Sequence, residues 1–405
     1  MADAPARPGL VVILLFLTAL AGRFTLTRLG LNVPVLNDVR VLLYLVVILA
    51  LLLEAHRIGS HAAAGGYCLL FVLALLGYQI LSASWAPANA VTGPMIGDLC
   101  AVGFLVFAYY TLAKWARDHV TRVTLCCFQA AAWVYFLAAA SGRGHASNGR
   151  WAALGGGPNV FVRVMILGVI TALYLHVRSG RRIHWLIPIP AFLFGALASG
   201  SRGGIVSLAI TAAIAAVAIR PSFTVLARPL GVLAILGTIV AVTAGPTIAD
   251  FVQTRFIDST LGQGYTSDRD VLFEYAIRLF WQRPLLGTGL NGFHAISDLG
   301  EGERYVHNLP LSVAAEGGFA GLVLLGLAWY SLWRAYRHTP AASRSVEAQA
   351  AAYCGIFVGA TSLFSGDYFD ARLMWILLIL AAVRPAPPTY ILGGPIGTPW
   401  TRASV

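Results

Sequence analysis

Residues 250–321 read DFVQTRFIDSTLGQGYTSDRDVLFEYAIRLFWQRPLLGTGLNGFHAISDLGEGERYVHNLPLSVAAEGGFAG, the one long polar stretch in an otherwise apolar chain. About half of the 17 acidic residues lie here, together with Arg255, Arg269, Arg278, Arg283, Arg304, His294 and His307. Elsewhere, apolar runs alternate with short basic connections. Reactive groups concentrate on loops held by a rigid scaffold, so this loop is where chemistry is expected.

Of the 405 residues, 58% are hydrophobic and 11% charged, and the mean hydropathy is +0.75. A soluble domain carries about 25% charged residues, so the composition predicts a polytopic membrane protein. The fold class is all-α, because the apolar runs are continuous and lack the two-residue alternation of barrel strands. A crossing helix needs about 20 mostly apolar residues. Run length and flanking charge predict about 12 transmembrane helices, at 10–21, 41–53, 67–85, 94–113, 124–140, 160–177, 185–198, 204–219, 229–248, 311–330, 348–364 and 371–383. The first run leads into a charged stretch and is read as a span rather than a cleavable leader. These spans make one transmembrane domain over 1–383, with the long loop 249–310 included. Residues 384–405, rich in proline, form a cytoplasmic tail.

Basic connections orient the spans. With the N-terminus inside, the same side holds Arg57, Lys114, Arg117, Arg122, Arg178, Arg181, Arg182, Arg220, Arg228, Arg334, Arg337 and Arg344. The Gly-rich loop at 142–158, the turn at Arg202 and the long loop then face outside. The net charge of +11 is scattered over short loops, which points to lipid head groups or a phosphate-bearing substrate rather than nucleic acid. All five cysteines fall in apolar runs and read as small core residues. Asp98 and Arg163 fall inside spans, where charge is costly unless paired or wetted; a structural pair with each other is favoured over a polar cavity. The chain has no internal repeat, which weighs against a transporter.

Four motifs could carry chemistry. Ser199-Gly200-Ser201-Arg202-Gly203-Gly204 could form an anion-binding turn, with Arg202 supplying a fork suited to phosphate, or an ordinary tight turn reaching lipid. Ser267-Asp268-Arg269-Asp270 opens a helix in which Leu272, Tyr275, Ala276 and Leu279 share a face, read as an amphipathic helix lying on the membrane surface. Its two aspartates suit the helix dipole better than a metal site. Gly287-Thr288-Gly289-Leu290-Asn291-Gly292 fits G-x-G-x-x-G, yet no βαβ unit surrounds it, so it is a compact turn. His307-Asn308 precedes a span. Its imidazole, with an ordinary pKa of about 6.5, could work on a hydroxyl or simply bond a helix start.

Taken in order, these elements resemble the O-antigen ligase and polymerase superfamily, bacterial membrane glycosyltransferases that use lipid-linked glycans as donors. SGSRGG is similar to the family's Ser/Gly-Arg turn, and SDRDVLFEYAIRLFWQRPLLGTGLNGF to its loop helix and P-L-L-G-x-G element. His307-Asn308, nine residues and then Gly318-Phe319-Ala320-Gly321 resemble the ligase pattern before a G-x-x-G. Gly157-Pro158-Asn159 resembles a Pro-Asn element that starts an earlier span. The resemblance implies a fold related to the C-type glycosyltransferases, in the bacterial inner membrane with the site facing the periplasm. It implies a glycan donor on undecaprenyl diphosphate, lipid A-core as acceptor, and no cofactor or metal. Arg202 and Arg269 would hold the diphosphate, and His307 would activate the acceptor hydroxyl for inverting displacement. Ser201 and Asn308 would support them, Asn308 by holding the His side chain. A polymerase extending a second lipid-linked glycan is the alternative, and a flippase a more distant one.

Overall fold

A computed structural model describes residues 9–22, 39–59, 66–142, 145–146, 149–219, 238, 253, 269–297, 305–340 and 343–384. Among these, the regular structure is helical: α1 Gly9–Ala21, α2 Val39–Gly59, α3 Tyr67–Ser82, α4 Gly93–Ala140, α5 Pro158–Arg178, α6 Pro188–Ala198 and α7 Arg202–Ile219, followed by α8 Arg269–Gln282, α9 Gly292–Ile296, α10 Leu309–Arg337, α11 Val346–Thr361 and α12 Arg372–Ala382. Sequence sets several boundaries. Proline occupies the first turn of α4, α5, α6 and α10, where its missing N–H is no loss. Ser345 caps α11 by accepting from the Ala348 N–H at 3.2 Å.

Among the described residues, four helices are long and apolar enough to cross a membrane: α3 with its 3-10 extension to Trp85, α4, α5 and α10. Of these four, α5 is the most enclosed, with Phe161, Met165 and Leu167 buried, and it packs on α4, α6 and α11. α3 lies along α10, and α11 pairs with α12. Lipid tails are as apolar as leucine, so such helices are held by close packing and polar links rather than by exclusion from water. α6 and α12 have 11 residues each, about 17 Å at 1.5 Å per residue, roughly half of a bilayer core. Irregular backbone therefore enters the bundle at the end of α6 and the start of α12.

Several expectations change. The expected spans 94–113 and 124–140 both lie in α4, which is two helices meeting at Ala116, where the backbone leaves helical geometry (φ −147°, ψ 56°). Asp98 and Arg163 do not pair: Asp98 binds Arg40 at 2.7 Å, and Arg163 lies 3.5 Å from Asp370. Cys68 and Cys354 are buried, but Cys100 and Cys126 are exposed and Cys127 half-buried. The expected span 229–248, apart from Thr238, lies outside the described residues, as do Asp268 and the tail beyond Arg384.

The two ends of the bundle differ. At one end Arg178 meets Glu347 at 2.5 Å, and buried Arg117 donates to the Val383 carbonyl (3.2 Å) and Ser345 (3.3 Å). This joins the end of α5, the start of α11 and the end of α12, all flanked by the basic connections. At the other end lie the starts of α5, α7, α10 and α12 and the end of α11. The candidate site is there.

Candidate functional site

α10 is a broken helix. At Gly318 the backbone takes φ 59°, ψ −157°, a region open essentially to glycine alone. The break frees carbonyls and N–H groups that lipid cannot satisfy. The P-L-L-G-x-G segment supplies their partners. Phe319 and Ala320 donate to the carbonyls of Pro284 (2.7 Å) and Leu285 (3.1 Å), while Thr288 and Gly289 donate to Ala315 and Glu316 (both 2.9 Å). Contact is so close that a Cβ on Gly318 would lie 2.6 Å from the Gly287 nitrogen and the Leu285 carbonyl group. Tyr78 on α3 donates to the Gly317 carbonyl at 2.8 Å. The sequence-predicted turn thus docks two motifs, 30 residues apart, against each other.

That docking positions α8. Leu272, Ala276 and Leu279 are buried together with Phe293, Val306 and Ala315, so the apolar stripe lies on α9, α10 and the approach to His307. Val271, Ile277 and Trp281 remain exposed on another side. Glu274 and Arg278 form the expected i, i+4 pair at 2.9 Å. Arg269 is the first residue of α8, half-buried, with Asp270 exposed beside it in the first turn.

The Ser-Gly-Ser-Arg turn joins α6 to α7. Ser199 is buried, its hydroxyl donates to the Ala196 carbonyl at 2.6 Å, and it accepts from the Ser201 N–H at 3.2 Å. The Ser201 hydroxyl donates to Asn159 Oδ1 at 2.9 Å, so the Pro-Asn element at the start of α5 fixes the turn. Arg150 and Trp151 of the Gly-rich loop donate to the Ser199 and Ala198 carbonyls at 2.7 and 3.0 Å. Arg202 is half-buried at the first position of α7. Its neighbour Gly203 sits so near Phe364 that a Cβ would be 2.5 Å from the Phe364 Cβ.

Phe364 belongs to the α11–α12 junction, where the elements converge. Asn308 caps α10 by accepting from Leu311 N–H (2.9 Å) and donates to the Leu363 carbonyl (2.9 Å); Leu309 N–H donates to Ser362 at 2.9 Å. Arg163, buried on α5, donates to the Ser365 carbonyl and faces Asp370, which also lies 3.6 Å from Arg372. The resemblance had Asn308 holding the His307 side chain. Its amide instead bonds backbone on both sides, so it fixes the main chain that carries His307.

His307 has φ 60°, uncommon for a residue with a Cβ, and its ring centroid lies 4.1 Å from that of Tyr305. Burial first, then Arg269, holds its imidazole down to about 4, with Asp370 pulling the other way and Arg163 adding to the depression. It is therefore neutral near pH 7 and able to accept a hydrogen bond or proton, though as a weaker base than the ordinary value of 6.5 suggests. A cavity of about 820 Å³ is lined by its chain neighbours Tyr305 and Val306, by Ser312, Glu316 and Tyr368, and by the Arg40–Asp98 pair.

The fold thus brings Arg269 and His307 into electrostatic reach. It ties Ser201, Arg202 and Asn308 to neighbouring parts of one junction. Sequence reasoning missed Asp370 and the 362–370 segment, and it took Arg163 for a structural partner of Asp98. A visible signal existed: Ser365-Gly366-Asp367-Tyr368-Phe369-Asp370 puts two acids between apolar runs, where no surface loop of that length was needed. Among the described residues, no cluster of three or more metal-ligating side chains occurs. Residues 189–326, from α6 through the SGSRGG turn and α8 to the G-x-x-G of α10, match the family model described as O-Antigen ligase. No curated protein matches the chain.

Proposed function

Because residues 189–326 mark the chain as a member of the O-antigen ligase and polymerase superfamily, we propose that it transfers a glycan from undecaprenyl diphosphate to a hydroxyl of lipid A-core. The proposal includes a bundle of about 12 crossings in the bacterial inner membrane, with this end in the periplasm. The observation that carries it is the meeting of a neutral, half-buried His307 with the cations Arg269 and Arg163 and the carboxylate Asp370.

Arg269 and Arg202 hold the donor diphosphate through charge-assisted forks. The acceptor oxygen attacks the anomeric carbon, the bond from that carbon to the phosphate oxygen breaks, and its electron pair leaves on undecaprenyl diphosphate. His307 takes the acceptor proton. Preorganised cations stabilise the charge that develops on the leaving group, so the step runs without metal or nucleotide.

The field also couples binding to chemistry. An empty site keeps His307 a poor base, because burial first and then Arg269 and Arg163 disfavour its protonation. A bound diphosphate offsets both cations and adds negative charge, which raises the proton affinity of the imidazole when an acceptor needs it. A His307→Ala variant should retain the lipid-linked donor and lose turnover; loss of donor binding would move His307 into the diphosphate site. Deletion in cells separates the two acceptors. Long glycan left on the lipid carrier supports transfer to core, whereas single units attached to core support polymerisation.

A further inference from the structure

The end of the bundle opposite the candidate site holds a second cavity, of about 770 Å³, between the start of α3, Lys114 on α4, and the ends of α10 and α12. Phe71, Leu327 and Val383 are among its apolar walls, and Lys114, Arg334, His338 and Arg384 are its basic lining. Two other basic residues at this end have carboxylates, Arg117 with Asp118 at 2.8 Å and Arg178 with Glu347 at 2.5 Å, while Arg337 and Arg344 stack on Trp333 and Tyr336. Among the described residues, Lys114, Arg334 and Arg384 have no carboxylate within ion-pair distance. Arg334 instead donates through Nε to His338 at 3.1 Å, and Arg384 through Nε to Thr339 at 3.2 Å. Three cations gathered at one cavity repel one another, and Lys114 among them is half-buried, so an anion there would relieve that repulsion.

We propose that this cavity binds an anionic glycerophospholipid, with its phosphate among Lys114, Arg334 and Arg384 and an acyl chain along Phe71 and Leu327. Two features favour a lipid over a soluble anion. The walls are apolar where the chain would run. Tyr67, Tyr330 and Trp333 are exposed around the same end (78%, 51% and 55%), as aromatic side chains are at head-group level. The site is independent of the glycan chemistry, since it lies at the far end of α10 from His307.

The test uses the purified full chain in nanodiscs of phosphatidylcholine containing a minor fraction of phosphatidylglycerol. Lipids that stay bound after transfer to detergent are counted by native mass spectrometry. Phosphatidylglycerol should be retained at least roughly fivefold over phosphatidylcholine, the preference expected when one cation faces a net-negative rather than a zwitterionic head group. Lys114→Ala/Arg334→Ala/Arg384→Ala should cut that retention by up to about a hundredfold, and Lys114→Arg/Arg334→Lys/Arg384→Lys should preserve it. Millimolar glycerol phosphate should fail to displace the lipid. Equal retention of both lipids by the wild-type chain overturns the proposal even if the alanine variant does not fold. Displacement by glycerol phosphate also overturns it, in favour of a soluble anion.

Discussion

Replacing Gly318 by alanine tests the claim that α10 must break. The new Cβ would sit 2.6 Å from backbone atoms of Gly287 and Leu285, in a left-handed conformation with ψ −157°. Backbone cannot rotate aside as a side-chain tip can, so α10 must straighten or the 284–289 turn must leave. Either route forfeits some of the four hydrogen bonds between Ala315–Ala320 and Pro284–Gly289. Strain of about 1–3 kcal/mol, with two or three bonds at about 1 kcal/mol each, gives a loss of about 3–6 kcal/mol. Gly326 on the same helix is a control: a Cβ there meets nothing within 4 Å, so alanine should stabilise by up to about 1 kcal/mol. Reversible unfolding in mixed micelles, followed by circular dichroism, measures both. The reasoning fails if Gly318→Ala lies within about 1 kcal/mol of the wild type, or if the two variants behave alike.

Other expectations concern the charges. His307 binds its proton in the unfolded chain near 6.5 and in the folded one near 4. The unfolded state therefore holds more protons between those values, and stability should fall as pH drops from 6.5 to 4. His307→Asn should flatten that part of a stability–pH curve, and an unchanged slope would contradict the assignment. Asp370 is the carboxylate that raises the His307 pKa, so Asp370→Asn should move the acid limb of the transfer rate to lower pH and slow transfer roughly tenfold or more. An acid limb that stays in place would argue that His307 is not the base. Arg202→Ala and Arg269→Ala should each abolish transfer, while size-exclusion profiles and helical content stay those of the wild type. Asn308→Ala removes both the α10 cap and the bond to Leu363, at a cost of about 1–2 kcal/mol measurable by unfolding.

Local chemistry made part of this legible in sequence. The amphipathic repeat of α8, the glycines of the 287–292 turn, and the order of SGSRGG, Arg269 and His307 are all local patterns. The partners of those motifs are not local. Arg163 meets a carbonyl 202 residues away, and Tyr78 meets one 239 residues away; neither separation has a periodicity to read. The break within α4 falls at Ala116, in the charged connection between the two expected spans. Asn308 was placed beside His307 by adjacency, whereas cap geometry turned its amide to the backbone. His307 was assigned an ordinary pKa because burial and the approach of Arg269 exist only once α8 has docked on α10.

The most direct test of the central claim is a transfer assay with the purified chain in nanodiscs. It would contain an undecaprenyl-diphosphate glycan, lipid A-core, EDTA and no nucleotide, and it would compare wild type with Arg202→Ala, Arg269→Ala and His307→Ala. The account predicts glycan on lipid A-core and released undecaprenyl diphosphate with the wild type alone. Equal transfer by the arginine variants, or none by the wild type with lipid A-core or with a second lipid-linked glycan, would contradict it.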